Sequence, residues 1–151
     1  MFDTNIFNRV LDYRVPIEIL TERFDVYVTH VQQDELNRTT CRTRRNELTR
    51  VFSGLAPQTM PTESAVWNVS KWNQARWTKD DNLCTPIKAA LDKREQKENN
   101  IQDALIAETA IKNEYTLVTD DGPLREVATE FGAKCMTWRE LQQRCRTGSM
   151  Q

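Results

Sequence analysis

The sequence is poor in the residues on which several common functional sites depend. Only four glycines occur among 151 residues, and no G-x-G-x-x-G or G-K-[ST] segment is present, which argues against a dinucleotide- or nucleotide-phosphate-binding protein. The single histidine, His30, excludes a mechanism that needs two histidines, and it falls inside a predicted strand, where we expect a structural role. The four cysteines form no C-x-x-C pair, which argues against a zinc site and favours reduced thiols in a cytosolic protein.

Long apolar runs are also missing. No window approaches the roughly 18 apolar residues of a transmembrane helix, and the opening residues MFDTNIFNRV lack the basic and then apolar pattern of a secretory signal. The formal net charge is −1, from 22 acidic and 21 basic residues, which argues against a protein that coats nucleic acid non-specifically but leaves room for a locally basic groove. We expect a cytoplasmic protein with one domain over residues 1–146 and a frayed tail at 147–151.

Predicted strands alternate with predicted helices along nearly the whole chain. The strands are expected at Met1–Thr4, Phe24–Val31, Thr116–Thr119 and Lys134–Thr137. The helices are expected at Phe7–Leu11, Pro16–Leu20, Gln32–Leu55, Leu83–Lys97, Ile101–Asn113, Pro123–Phe131 and Trp138–Cys145, with a loop at Ala56–Glu63 and either strand or irregular helix at Ser64–Trp77. This order predicts a three-layer α/β/α fold with a mostly parallel central sheet, whose ligands bind where the strands end.

Five acidic residues lie where a predicted strand ends or where a predicted helix begins: Asp3, Glu35, Asp103, Asp120 and Asp121. Each has an ordinary structural explanation, because aspartates cap helices and form turns, and a glutamate with arginine neighbours is typical of a solvated helix face. Those explanations do not account for the shared position at one edge of the sheet. Crowded carboxylates raise one another's pKa unless hard cations lie among them, so the pattern predicts a site for one or two Mg²⁺ or Mn²⁺ ions.

The helix of Asp103 strengthens this prediction. At about 100° per residue, Asp103 falls on the side that carries small and apolar residues and is expected to turn inward, whereas Glu108 falls elsewhere. An unpaired carboxylate on a buried face is costly, so Asp103 has to be protonated, capped or bound to a cation.

Four short segments that contain these acids resemble the motifs of the PIN domain family, which includes toxin ribonucleases of the VapC type and several RNA-processing nucleases. The segments are D-T-N at Asp3–Asn5, an acid and a leucine at Glu35–Leu36, D-A-L-I-A at Asp103–Ala107 and L-V-T-D-D at Leu117–Asp121. They occur in the family's order and extend over nearly the whole chain. The resemblance implies a PIN-like fold and a metal-dependent endoribonuclease, the toxin of a type II toxin–antitoxin pair, with RNA as substrate, an antitoxin protein as partner and a homodimeric assembly.

The resemblance also implies a role for each matching residue. The metal-binding acids are expected to be Asp3, Glu35, Asp103 and Asp121, since the family's last motif has threonine, one variable residue and then aspartate. Asp120 occupies the variable position of that motif and is expected to lie next to the metal-binding acids without binding the metal itself. Thr119 and Asn5 are expected to orient the acids or a metal-bound water. Two departures from the family's pattern are a very short first strand and a long segment between Glu35 and Asp103.

Two further groups of residues have an open role. Arg38, Arg42 and Arg45 follow Glu35 along the polar face of the predicted helix Gln32–Leu55, as a phosphate track toward the metals or as a solvated basic face. Trp67, Trp72 and Trp77 fit core packing or a partner surface, or stacking on unpaired bases.

Two other functions fit parts of the sequence. A PIN-like protein that binds RNA or assembles without turnover would keep the fold but would not need a complete set of acids. A phosphatase on an α/β sheet would use a D-x-D loop, and this chain has Thr4 and Asn5 after Asp3 instead.

Overall fold

The computed structural model describes residues 1–66, Val69 and residues 82–147. Trp67, Trp72 and Trp77 lie outside the described residues. The helices are α1 (Thr4–Asp12), α2 (Ile17–Thr21), α3 (His30–Asn37), α4 (Arg42–Leu55), α5 (Cys84–Arg94), α6 (Asn100–Lys112), α7 (Gly122–Glu130) and α8 (Trp138–Thr147). The strands are β1 (Tyr27–Val28), β2 (Gln58–Thr59), β3 (Thr116–Val118) and β4 (Lys134–Met136). Among the described helices, none combines the length and the hydrophobicity that a membrane span requires.

The first three residues connect two short parallel strand pairs into one sheet. β1 pairs in parallel with β2, and β3 pairs in parallel with β4. Between the pairs, Phe2 forms a parallel bridge to Val118 and donates its backbone N–H to the Tyr27 carbonyl at 3.0 Å. The order across the sheet is therefore β2, β1, the N-terminal segment, β3 and β4. From the N-terminal segment the chain adds β1 and then β2 on one side, and later adds β3 and then β4 on the other side. The direction in which strands are added therefore changes between the N-terminal segment and β3.

Neighbouring residues of this sheet point to opposite faces, and each face is covered by helices. Met1 and Leu117 join a core cluster with α5, α6 and α7, whereas Phe2 and Val118 join a second cluster with α1, α2, α4 and α8. Alternation with a period of two is what an extended backbone imposes. The predicted fold class, a three-layer α/β/α fold with a mostly parallel central sheet, is confirmed.

Helix caps end the strands earlier than the sequence suggested. The predicted strand Phe24–Val31 stops at Val28, because Thr29 forms a capping box with Gln32 and starts α3 at His30. His30 is buried there, with Nε2 3.0 Å from the Val69 carbonyl oxygen. The predicted strand Met1–Thr4 likewise gives way to α1 at Thr4, because Asp3 is its N-cap.

The prediction of one long helix over Gln32–Leu55 was wrong. The structure has α3 and α4, separated by an interruption at Arg38–Cys41, and Cys41 is extended with φ −70° and ψ 113°. Two adjacent threonines, Thr39 and Thr40, weaken helix formation at this point because β-branched side chains lose rotamer freedom against the preceding turn. The segment Ala56–Glu63, which was expected to be a loop, contains the short exposed strand β2. Its two residues, Gln58 and Thr59, are polar, so the sequence shows no alternation of apolar and polar residues there.

Helix α6 lies at the centre of the molecule. Every residue from Asp103 to Ala110 is buried, because α5, α7, α3 and β3 all pack against this helix. A helix that is surrounded in this way has no polar face. Glu108, which the helical wheel placed away from the core, is fully buried, and the wheel interpretation of α6 was wrong in that respect.

Candidate functional site

The site is built where the order of the sheet reverses. Asp3 directly follows the bridged Phe2, and Thr119 directly follows β3, so both leave the sheet at its carboxyl edge. Two neighbouring extended segments diverge there toward different sides of the sheet. In open α/β sheets this divergence leaves a crevice in which ligands bind.

Asp3 is the most completely hydrogen-bonded acid of the site. It is 4% exposed, and its Oδ1 accepts the Thr4 backbone N–H at 2.7 Å, which caps α1. Its Oδ2 accepts two side-chain donors at 2.6 Å each, the Thr119 hydroxyl and the Asn5 amide. The Asn5 amide is also 3.2 Å from the Thr119 hydroxyl oxygen. Asn5 and Thr119 thus hold Asp3 in one orientation.

Asp121 caps the next helix and meets a lysine. Its Oδ1 accepts the Leu124 backbone N–H at 2.9 Å, as an N-cap does, and its own N–H donates to the Thr119 hydroxyl oxygen at 3.0 Å. Its Oδ2 lies 3.0 Å from Lys97 Nζ. One oxygen of Asp121 is therefore committed to α7, and the other pairs with the ammonium of Lys97.

Glu35 reaches the same region from α3. Its Oε2 accepts a short hydrogen bond from the Thr4 hydroxyl, which joins α3 to the first residue of α1. Burial raises the pKa of Glu35, and the hydrogen bond from Thr4 and the charge of Arg38 oppose that rise. Thr4 had no predicted role, because nothing in its local sequence shows that it meets a residue of a different helix.

Asp103 has no hydrogen-bond donor among the residues that the structure describes. It lies in the first turn of α6 and is 6% exposed. Burial raises its pKa to about 8, and the charges of Asp3, Glu35 and Asp121 add to the rise. A buried carboxylate without a donor needs either a proton or a cation to be stable.

The four acids predicted from the sequence are therefore brought together. Burial also raises the pKa of Asp3 to about 6, with contributions from the charges of Glu35 and Asp121 and against the hydrogen bond from Thr119. These carboxylates are close enough for each other's charge to oppose ionisation. The N-terminal segment, α3, α6 and the N-cap of α7 each supply one of them, so the cluster depends on the whole fold.

The donor set fits a hard divalent cation such as Mg²⁺ or Mn²⁺. It consists of carboxylate oxygens, and a bound cation would stabilise the ionised form of Asp103, whose pKa is raised by burial and by the neighbouring acids. In the described part of the chain, however, no three Asp, Glu, His or Cys side chains already converge as a cage for an ion. Glu35 is engaged with Thr4 and Asp121 with Lys97. An ion that used these acids would have to displace those partners.

Asp120 points to a different set of partners from Asp121. Its Oδ1 accepts the Trp138 backbone N–H at 2.9 Å at the start of α8, and its Oδ2 pairs with Arg9 Nε at 2.9 Å. Its charge is not among those that raise the pKa of Asp3 or Asp103. Its backbone N–H does reach Asn5 Oδ1 at 3.3 Å. The carboxylate of Asp120 therefore joins α1 to α8 and not to the other acids.

The arginines expected to form a track do not share a helix face. Arg38 is the C-cap of α3, whereas Arg42 and Arg45 belong to α4, beyond the interruption at Arg38–Cys41. Arg45 Nη1 donates to the Thr39 carbonyl at 3.1 Å and so stabilises that interruption. The geometric basis of the track was wrong. Arg38 nevertheless lies close enough to Glu35 to lower its pKa.

Lys97 is, with Thr4, a residue of the site for which the sequence predicted no role. The predicted helix Leu83–Lys97 placed it at a highly charged helix end, where a solvated lysine is unremarkable. In the structure α5 ends at Arg94, and Lys97 lies in the connection to α6. Its position could have been predicted only by ending the helix at Arg94, three residues earlier, and by reading Asn99 and Asn100 as part of the connection to α6.

Comparison with solved structures finds a similar chain in the crystal structure of VapBC2 from Rickettsia felis bound to a DNA fragment from their promoter. The sequence identity is 17%, the match covers 91% of this chain and 97% of that chain, and the TM-score is 0.49. No protein-family model matches the sequence. No curated protein matches it.

Proposed function

We propose that this chain is a divalent-metal-dependent nuclease that hydrolyses RNA phosphodiester bonds. The observation that carries the proposal is the burial of Asp103 without a donor among the described residues, next to the charges of Asp3, Glu35 and Asp121. A structural role for this acid would need a hydrogen-bond donor or a paired cation at its carboxylate. A bound divalent cation would neutralise the Asp103 carboxylate in the same way, and it would also make the acid cluster catalytic.

Asp3, Glu35, Asp103 and Asp121 would hold one or two Mg²⁺ or Mn²⁺ ions. When bound, such ions supply a hydroxide nucleophile near neutral pH and a positive charge opposite the leaving oxygen of a phosphodiester. The residues of the chain fix the geometry: Thr119 and Asn5 hold Asp3, and the capping bond to Leu124 holds Asp121. No histidine takes part, since His30 is buried against the Val69 carbonyl.

The sequence resemblance to the PIN family carries the finer proposal. On this proposal the substrate is RNA and the chain is the toxin of a toxin–antitoxin pair. Its partner is an antitoxin protein, and it assembles as a homodimer. The alternative is a PIN-like protein that binds RNA or assembles without turnover. The charges of the other three acids raise the pKa of Asp103, and those of Glu35 and Asp121 raise the pKa of Asp3. This favours the enzyme, because a binding protein gains nothing from carboxylates whose ionisation is opposed by neighbouring acids.

The test compares the wild type with Asp103→Asn and Asp121→Asn. Each protein is titrated calorimetrically with Mn²⁺ and incubated with single-stranded and structured RNA, in Mn²⁺ and in EDTA. We expect the wild type to bind Mn²⁺ and to cleave RNA only with the metal, and both variants to lose cleavage by about 100-fold or more. Full metal-dependent cleavage by either variant would contradict the assignment. A wild type that binds RNA but not Mn²⁺ would favour the alternative.

A further inference from the structure

We propose that Lys97 is a tethered cation that holds Asp121 while no divalent ion is bound and passes to a phosphate oxygen of the nucleic acid once an ion takes Asp121. This inference rests on the proposed function. It assigns a role to a residue outside the motifs of the sequence, and it follows from three features of the structure: the contact that Lys97 makes, the loop that carries it and the charges around it.

The contact occupies the oxygen that an ion would need. Asp121 Oδ1 caps α7 through the Leu124 N–H at 2.9 Å, and Oδ2 lies 3.0 Å from Lys97 Nζ. A divalent ion therefore cannot bind through Oδ2 without displacing the ammonium. Lys97 Nζ also lies 3.1 Å from Glu95 Oε2, which is on the solvent side, and its side chain is 31% exposed. The ammonium thus has an open route away from Asp121.

The backbone of the loop that carries Lys97 is anchored, whereas the side chain is held only through its ammonium, by Asp121 and Glu95 among the described residues. Asn100 is buried, and its amide donates to the Glu95 carbonyl and to Asp92 Oδ1, both at 2.8 Å. The Asn100 backbone N–H donates to the Lys97 carbonyl at 3.3 Å. These bonds fix the backbone of the connection between α5 and α6 at the edge of the acid cluster. A lysine has four rotatable carbons beyond that fixed point, so its ammonium can move several ångströms without a change in the fold.

The surrounding charges favour an exchange over a permanent ion pair. The charge of Lys97 lowers the pKa of Asp103, against the charges of Asp3, Glu35 and Asp121, which raise it. One ammonium cannot neutralise four carboxylates, so a divalent ion binds the cluster better and releases the lysine. A released ammonium at the mouth of a site that receives a phosphodiester has an anionic oxygen as its natural partner.

The experiment uses Lys97→Met and, as a second neutral variant that keeps a polar end, Lys97→Gln. Lys97→Arg keeps the charge, and Lys93→Met removes the same charge from an exposed position of the neighbouring helix α5. Mn²⁺ affinity is measured by calorimetry. Binding of a single-stranded phosphorothioate oligoribonucleotide, which resists hydrolysis, is measured as a function of salt in Mn²⁺ and in EDTA.

We expect both neutral variants to bind Mn²⁺ roughly three- to tenfold more tightly than the wild type, because no ammonium competes for Asp121. Lys97→Arg and Lys93→Met should keep the wild-type affinity. In Mn²⁺ the salt slope of oligonucleotide binding should fall by about 0.7 in the neutral variants, the value of one lost phosphate contact on a single strand. In EDTA it should not change, because Lys97 is then bound to Asp121.

The outcomes separate this inference from the proposed function. If the wild type binds Mn²⁺ and cleaves RNA, but the neutral variants bind Mn²⁺ with unchanged or weaker affinity, Lys97 does not compete for Asp121 and the inference is wrong. The inference is also wrong if the salt slope falls equally in Mn²⁺ and in EDTA. If the wild type binds no Mn²⁺, the proposed function itself fails.

Discussion

Thr119 Oγ1 donates a 2.6 Å hydrogen bond to Asp3 Oδ2 across 116 positions of sequence. The contact joins the two extended segments between which the order of the sheet reverses. The same hydroxyl oxygen accepts the Asp121 N–H at 3.0 Å. One threonine side chain therefore sets the relative positions of the first and the last acid of the cluster, which are far apart in the sequence.

Replacement of Thr119 by valine keeps the shape of the side chain and removes this hydroxyl. Asp3 then loses one of its buried donors, so we expect the free energy of unfolding to fall by about 1–3 kcal/mol. Mn²⁺ affinity should fall by about tenfold, because Asp3 is no longer held in one orientation. Urea unfolding and calorimetry measure the two effects.

The matched control is Thr129→Val, on the exposed side of α7, where the hydroxyl bonds only to the Arg125 carbonyl. Its effect on stability should stay within about 0.5 kcal/mol. Equal effects of the two substitutions would show that the Thr119 hydroxyl has no special part in the site.

The stability of the metal-free protein should fall as the pH rises. The folded-state pKa of Asp103 is about 8 and that of Asp3 is about 6, both above the ordinary value of 3.8. A carboxyl group with a raised folded-state pKa stabilises the fold fully below its unfolded pKa, and this contribution is lost as the pH passes through the folded pKa. Between about pH 6 and pH 8 the loss from Asp103 averages about 1 kcal/mol per pH unit, and it levels off above pH 8.

Urea unfolding in EDTA at a series of pH values measures this loss. Asp103→Asn removes the titrating group with little change in volume, so its stability should vary less than that of the wild type between pH 6 and pH 8 and exceed it at pH 9. Saturating Mn²⁺ should reverse the trend in the wild type, since ionised carboxylates bind the cation. A wild type whose stability does not change over this range would show that Asp103 is not buried next to other charges.

Asp120 and Asp121 should differ in what they lose on conversion to asparagine. Asp120 accepts the Trp138 N–H at the start of α8 and pairs with Arg9, so Asp120→Asn should reduce stability by about 0.5–2 kcal/mol and leave Mn²⁺ affinity near that of the wild type. Asp121 faces the acid cluster, so Asp121→Asn should lose most of its Mn²⁺ affinity. Thermal unfolding and calorimetry on the two variants make the comparison, and a reversed result would exchange the roles of the two residues.

Local patterns in the sequence were sufficient for the layered fold and for the segment that contains Asp103 and Asp121. The observed α6 begins one residue before its prediction and β3 ends one residue before its own. Gly132 adopts φ +95° after α7, as expected of a glycine that ends a helix. These features depend on apolar periodicity and on turn chemistry over a few residues, and both are visible without the fold.

The features that the sequence did not predict depend on contacts between distant residues. Asp120 accepts the N–H of Trp138, 18 positions later, and Thr4 meets Glu35 across 31 positions. Lys97 meets Asp121 only because α5 ends at Arg94. Capping and packing determine where a helix ends more than intrinsic propensity does. The predicted helix ended three residues too late, at Lys97, and so gave no indication that this lysine reaches Asp121.

Glu108 should be among the most sensitive positions for stability. It is fully buried in α6, and its Oε1 accepts the Ser64 hydroxyl and the Leu83 N–H, both at 2.9 Å, and lies 3.3 Å from Lys112 Nζ. Glu108→Gln leaves the ammonium of Lys112 opposite a neutral amide, so we expect a loss of about 3–5 kcal/mol in urea unfolding. The double variant with Lys112→Met should recover part of it, and a loss below that of Thr129→Val would contradict the role.

Gly54 lies where α2 packs on α4. A Cβ atom at this position would lie 2.7 Å from Ile17 Cδ1, so Gly54→Ala should force the end of that side chain to move, and this cost offsets the gain in helix propensity of about 1 kcal/mol. Ile17→Val removes the methyl group that clashes, so in a double-mutant cycle Gly54→Ala should cost less in the Ile17→Val background. Gly122→Ala is the control, because no atom lies within 4 Å of a Cβ built there. Additive effects in the cycle would show that α2 does not approach α4 through this pair.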